Sequence, residues 1–207
     1  MIKDEQHRER TAELLVAAVA LTGLCLQFVT TALERIPQLF SYYTIQTNLM
    51  VAVLMLVRLL MKQADSRKFD IWITAVALWI TVTGLGYHTL LAARYEPQGL
   101  AAVANAFIHT ITPLSMLFYF LLISQPGQRN RFAWLSYPLI YVMGSLVRGS
   151  VDGFYPYWFL SPNEPYPKGI GSLTNVLLLS VVFAGVYLLI GQLFWTVRSL
   201  LHRRYRT

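Results

Sequence analysis

The chain has 207 residues, 56% of them hydrophobic and 13% charged, with a formal charge of +7 and a mean hydropathy of +0.49. That is too apolar for an ordinary soluble domain of this length and points to a single integral membrane domain over residues 1–207. The basic residues sit in short connections and the tail rather than along one helix face, so no nucleic-acid partner is expected. The single cysteine, Cys25, lies in an apolar run and excludes an intrachain disulfide and a multi-cysteine metal site.

The N-terminal stretch from Lys3 to Glu13 is charged and mixed in sign, with no short apolar core before a cleavage site. No removable signal peptide is expected. Six apolar runs can be marked, at Ala12–Leu33, Tyr42–Met61, Phe69–Ala93, Ala102–Ile123, Phe132–Val147 and Ser172–Val197. About 20 helical residues cross the hydrocarbon core. The expected fold is therefore an all-α membrane protein of six transmembrane helices.

Counting Lys and Arg orients it. Of the 17, only Arg35, Arg94, Arg148 and Lys168 fall on one side; the other thirteen, from Lys3 and Arg8 through Arg58, Lys62, Arg67, Lys68, Arg129 and Arg131 to Arg198, Arg203, Arg204 and Arg206, fall on the other. Both termini are expected to be cytoplasmic, in the plasma (cytoplasmic) membrane, with the basic tail against anionic lipid.

This topology sends the unusual polar residues to one depth. Thr44 and Asn48 fall in the outer third of the second span, His88 near the outer end of the third, and Asn105 and His109 one and two turns into the fourth. Arg148 and Asp152 close the fifth, and Thr174 and Asn175 open the sixth. The inner halves read as almost wholly aliphatic or aromatic. The expectation is one polar cavity opening toward the outer leaflet. The long outer loop from Arg148 to Gly171, rich in Pro, Gly and aromatic residues, reads either as a lid over that cavity or as an interfacial anchor.

Thr44, Thr47 and Asn48 stand at i, i+3 and i+4 and share a helix face. Ser41 is positioned to cap that helix, and Thr44 to bond back to a carbonyl one turn earlier. His109 is the one histidine well inside a span; His7 and His202 are in the tails. A neutral imidazole activates a hydroxyl nucleophile or, equally, serves as packing glue between helices. Asn105 at i−4 is placed to orient the ring, and Pro113 at i+4 leaves the His109 carbonyl without its helical partner. The chain has no G-x-S-x-G, H-E-x-x-H, Walker or C-x-x-C motif. His88 and His109 as haem ligands fall at different depths, without the second axial pair common in multi-haem membrane cytochromes.

Tyr43-Thr44-Ile45, Asn105-Ala106-Phe107-Ile108-His109-Thr110 with Pro113, and Tyr155-Pro156-Tyr157-Trp158-Phe159-Leu160 occur in that order. Their combination resembles the androgen-induced membrane protein family, integral-membrane threonine hydrolases of fatty acid esters of hydroxy fatty acids, and its bacterial six-span relatives. The resemblance implies Thr44 as nucleophile and His109 as its assistant. Thr47 offers a second hydroxyl one turn deeper. Asn48, Asn105 and Asn175 are candidates to hold an oxyanion or orient the histidine. Arg148 is placed to pair with a substrate carboxylate or with Asp152. The expected partners are membrane lipids and a lipid ester or other amphipathic small molecule, with no metal or organic cofactor. The alternative is a non-catalytic lipid-binding protein or transporter using the same cavity.

Overall fold

The structure is a computed structural model that describes residues 2–61, 69–124 and 130–204. Among these residues it is all-helical, with no strand. The main helices are α1 (Ile2–Val29), α2 (Tyr43–Leu60), α3 (Asp70–Gly86, continued by a π-helical turn over Tyr87–Leu91), α4 (Leu100–Ile123), α5 (Arg131–Asp152) and α6 (Leu173–Arg204). Five of them, all but α5, are long and apolar enough to cross a membrane. In α5 the 22-residue length suffices, but Ser136, Tyr137, Tyr141, Ser145 and Arg148 dilute its hydropathy.

The centre of the bundle is α3. Every residue from Ile73 to Ile80 is buried, whichever way it points, as expected of a helix that is apolar all round. α2, α4, α5 and α6 pack around it, and α1 lies outside against α2 and α4. The outward faces carry exposed aliphatic residues, most densely on α6 at Leu177, Leu178, Val181, Val182, Leu189 and Leu193. A continuous apolar exterior of this kind makes the chain an integral membrane protein.

Two sequence expectations need correction. First, α5 continues through Arg148 to Asp152, so the last loop begins at Gly153 rather than Arg148. An Arg148–Asp152 ion pair at i, i+4 (2.9 Å) bridges that final turn. Gly153, at φ 78°, then ends the helix in the left-handed conformation that glycine adopts without a Cβ clash.

Second, the end of the bundle remote from Thr44 is not purely apolar. Arg58 is 4% exposed and Glu13 3%. The Arg58 guanidinium donates to Glu13 Oε1 (2.6 Å) and Glu9 Oε1 (2.7 Å), and the Tyr119 hydroxyl donates to the same Glu13 oxygen (3.0 Å). Arg198, equally buried, donates to the Ser124 carbonyl (2.7 Å) and lies over the Phe120 ring. Arg58 and Arg198, expected from the charge count to be interfacial, instead tie helices together. Lys62, Arg67, Lys68, Arg129 and Arg206 lie outside the described residues, as do the side chains of Lys3, Arg203 and Arg204.

Candidate active site

The site forms where the first turn of α2 meets the middle of α4. The residue preceding α2 is Tyr42, in extended conformation and without a side-chain cap. The first amides of the helix are satisfied instead by phenols from distant parts of the chain. Tyr43 N–H donates to Tyr141 of α5 (3.2 Å) and Thr44 N–H to Tyr157 of the last loop (3.3 Å). Ser41 does not cap the helix. Its carbonyl accepts from the Tyr141 hydroxyl (2.8 Å), and its hydroxyl meets the Arg148 guanidinium.

Thr44 and His109, 65 positions apart, are brought into contact. Thr44 Oγ1 lies 3.3 Å from His109 Nε2, and both side chains are buried. The tautomer follows from the other ring nitrogen. His109 Nδ1 is 3.2 Å from the Asn105 carbonyl, which can only accept. Nδ1 therefore carries the proton, and the Nε2 lone pair faces the Thr44 hydroxyl. That is the orientation a general base requires.

Three features hold the imidazole. His109 lies in a π-helical turn, Phe107–Ile111, an irregularity that recurs at functional sites. The Tyr87 ring stacks on it with centroids 3.8 Å apart and planes 17° apart, and Asn105 Nδ2 donates to the Tyr87 hydroxyl (2.7 Å). Asn105 thus orients the histidine through its backbone and, at one remove, through its side chain. Three residues before Tyr87, α3 comes close to the backbone of α4. A Cβ added at Gly84 would lie 2.9 Å from the His109 carbonyl and 3.1 Å from Pro113 Cβ. Where Pro113 leaves that carbonyl without its helical donor, the glycine lets another helix cover it.

The second hydroxyl is differently placed. Thr47, fully buried, donates to the carbonyl of Tyr43 (2.9 Å) or Thr44 (3.2 Å) and contacts Thr83 Oγ1 (3.1 Å). It is the back-bonded threonine, a role the sequence had suggested for Thr44. Asn48 Nδ2 donates to the Thr44 carbonyl (2.8 Å) and across to the Ile108 carbonyl (3.0 Å), joining α2 to α4 behind the site.

The remaining candidates lie apart. His88 is exposed and 3.0 Å from Thr110 Oγ1. Arg148 and Asp152 form their exposed ion pair with each other. Asn175 is exposed, bonding the Ile170 carbonyl (2.9 Å) and the Ser172 hydroxyl (3.1 Å). It holds the loop-to-α6 junction and does not reach Thr44.

A cavity of about 120 Å³ adjoins Thr44. Its walls are mainly apolar side chains of α3, α5, α6 and the last loop, among them Val82, Leu91, Leu135, Leu139, Phe159 and Phe183. Thr44 and Tyr157 both line it. The sequence reading missed Tyr157, whose hydroxyl is 3.4 Å from Thr44 Oγ1. Its pKa lies above the usual phenol value because the hydroxyl of this half-buried ring is desolvated. The loop that carries it is held to the α3–α4 connection. Arg94 lies over the rings of both Trp158 and Tyr166, 4.8 Å from each centroid, and donates to the Pro167 carbonyl (3.1 Å). No family model, curated protein or solved structure matches this chain.

Proposed function

We propose that the chain is an intramembrane threonine hydrolase of fatty acyl esters, as its likeness to the androgen-induced membrane protein family implies. The observation that carries this reading is the buried contact of 3.3 Å between Thr44 Oγ1 and the unprotonated nitrogen of His109. The apolar cavity beside that hydroxyl suits an acyl chain.

In the reaction, Thr44 Oγ attacks the ester carbonyl carbon as its proton passes to His109 Nε2. The carbonyl π pair moves onto oxygen, giving a tetrahedral oxyanion. Collapse breaks the bond to the leaving alkoxide, which takes the proton from Nε2 and departs as an alcohol, leaving acyl-Thr44. Water then attacks with His109 accepting its proton, the acid leaves, and the Thr44 hydroxyl is restored. The Thr44 proton leaves with the alcohol and is replaced by one from water, each relayed through His109 Nε2, and no redox partner is needed.

The same reading makes α5 a sixth span, puts both termini in the cytoplasm of a plasma membrane protein, and opens the cavity toward the outer leaflet. The substrate then arrives sideways from the bilayer.

The test is labelling of the purified full chain with a fluorophosphonate, with mass mapping of the adduct. The expected result is an adduct on Thr44 that is lost in Thr44→Ala and at least 10²-fold slower in His109→Ala, the scale of general-base assistance. An unlabelled, folded wild-type protein would overturn the hydrolase reading.

A further inference from the structure

The amides expected from the sequence to be oxyanion donors are committed elsewhere. Both Asn48 Nδ2 protons are taken by the carbonyls of Thr44 and Ile108. The Asn105 side chain donates to Tyr87, and Asn175 is at the loop junction. Several hydroxyl-bearing residues line the cavity, but Thr83, Tyr141, Ser180 and Tyr187 donate elsewhere. Among the described contacts, the lining hydroxyl within reach of Thr44 Oγ1 is that of Tyr157.

The proton inventory at that phenol is specific. Its oxygen accepts from the Thr44 amide N–H at 3.3 Å. With the Thr44 hydroxyl proton directed at His109 Nε2, the phenol proton points to Thr44 Oγ1, 3.4 Å away. Among the described contacts that long one is what holds it, and it lies beside the atom that will bond the carbonyl carbon. In the tetrahedral intermediate the oxyanion sits about 2.3 Å from Oγ, across one carbon, which brings it within hydrogen-bond range of the same phenol. The ring is fixed meanwhile. It stacks on Phe159 with centroids 5.1 Å apart and meets Tyr42 edge-on at 5.7 Å.

From this geometry we infer that Tyr157 is a third catalytic residue, donating its phenolic hydrogen bond to the oxyanion formed on the acyl group of a lipid ester at Thr44. The inference rests on the hydrolase reading of the same site. In the resting state the Tyr157 hydroxyl donates to Thr44 Oγ. As the C–O bond forms and the carbonyl π pair moves to oxygen, the donor swings to the new anion. The proton stays on the phenol, and Thr44 N–H polarises it throughout. Burial keeps that phenol neutral, as a donor must be. The titratable groups around it are Tyr42 and Tyr43 of the α2 entry, Tyr137 and Tyr141 of α5, Tyr187 of α6, and His109 beyond Thr44.

The experiment uses the detergent-solubilised full chain and the p-nitrophenyl ester of octanoic acid. Tyr157→Phe is expected to lower kcat by about 10²-fold with KM changed less than about threefold, the signature of a lost transition-state donor. Because that change also removes the partner of Thr44 N–H, 3,5-difluorotyrosine is placed at 157 as well. It keeps the ring and its packing but makes the phenol more acidic, so the alkaline limb of the kcat–pH profile moves to lower pH. A wild-type kcat in Tyr157→Phe, or an alkaline limb that does not move, overturns the role of Tyr157 while Thr44-dependent turnover stands. Turnover that survives Thr44→Ala overturns Thr44 as the nucleophile, and this inference with it.

Discussion

At the scale of single residues, the two threonines of α2 differ in what their hydroxyls can still do. Thr47 Oγ1 is engaged with the backbone of its own helix and with Thr83, which itself donates to the Trp79 carbonyl (2.9 Å). A threonine bonded in this way is a helix-packing residue. Among the described residues, Thr44 Oγ1 has His109 and Tyr157 as its neighbours in hydrogen-bond range, and it borders the cavity. Thr47→Val keeps the branched shape and removes the hydroxyl, leaving Thr83 with its carbonyl partner. The expected outcome is a stability loss of about 1 kcal/mol, the net value of one buried hydrogen bond, with fluorophosphonate labelling of Thr44 unchanged. An adduct that vanishes in Thr47→Val while the protein remains folded would move the nucleophile one turn deeper.

The residues that proved readable share a property. Thr44, Asn48 and His109 are polar in runs that are otherwise apolar, and an apolar run makes a polar interruption conspicuous. Tyr157 had no such contrast. It sits among Tyr155, Pro156, Trp158 and Phe159, a composition equally fitted to a membrane–water interface. Its place beside Thr44 comes from being folded back 113 positions along the chain, which no local pattern encodes. Asn175 erred the other way. Its expected depth made it a candidate, but its side chain is taken up by the loop beside it.

At the scale of elements, the site depends on how closely α3 approaches α4. Helical periodicity locates both segments, yet it does not reveal the π-helical turns at Tyr87–Leu91 and Phe107–Ile111 that carry Tyr87 and His109. An extra residue in a turn rotates the facing of every later residue in the helix, so a projection at 3.6 residues per turn misassigns neighbours beyond it. The Gly84 contact is the sensitive point. A methyl group there would press on a backbone oxygen, that of His109, and on the fixed ring of Pro113, neither of which can rotate away. Gly84→Ala should therefore push α3 and α4 apart and displace the imidazole from Thr44. The expected outcome is Thr44 labelling slowed by about 10²-fold, the usual effect of a displacement near 1 Å at a reacting pair. Gly144→Ala in α5 is the comparison, since its Cβ would meet nothing within 4 Å, and it should label at the wild-type rate. Equal rates for the two variants would mean that α3 does not set the position of His109.

At the scale of the whole molecule, the two ends of the bundle hold their polar groups for different purposes. Thr44 opens α2 and Arg58 closes it, fourteen residues away, about 21 Å along a helix. Around Thr44 a hydroxyl in contact with a buried imidazole borders an apolar space. Around Arg58 the carboxylates of Glu9 and Glu13 and the Tyr119 hydroxyl draw α1, α2 and α4 together. The sequence disguises this network because each charge lies near the end of an apolar run, where charges ordinarily meet water or headgroups; only the pairing across helices makes them interior.

Such a network has an asymmetric energetic signature. Removing one member leaves a buried ion of the opposite sign poorly compensated, whereas replacing the ions together removes the desolvation penalty along with the attraction. Arg58→Met should therefore destabilise the protein by about 3–5 kcal/mol, with Glu13 left against the Tyr119 hydroxyl alone among the contacts described. Adding Glu13→Leu should recover part of that loss, even though it also strips Tyr119 of its acceptor. Denaturation of the two variants and the wild type, monitored through the fluorescence of buried Trp79 and Trp134, gives the sign of the coupling. Because the network and the Thr44–His109 pair occupy opposite ends of α2, both variants should label at Thr44 at the wild-type rate below their unfolding transitions. A double variant less stable than Arg58→Met would show that Glu13 serves the fold through contacts other than this ion pair.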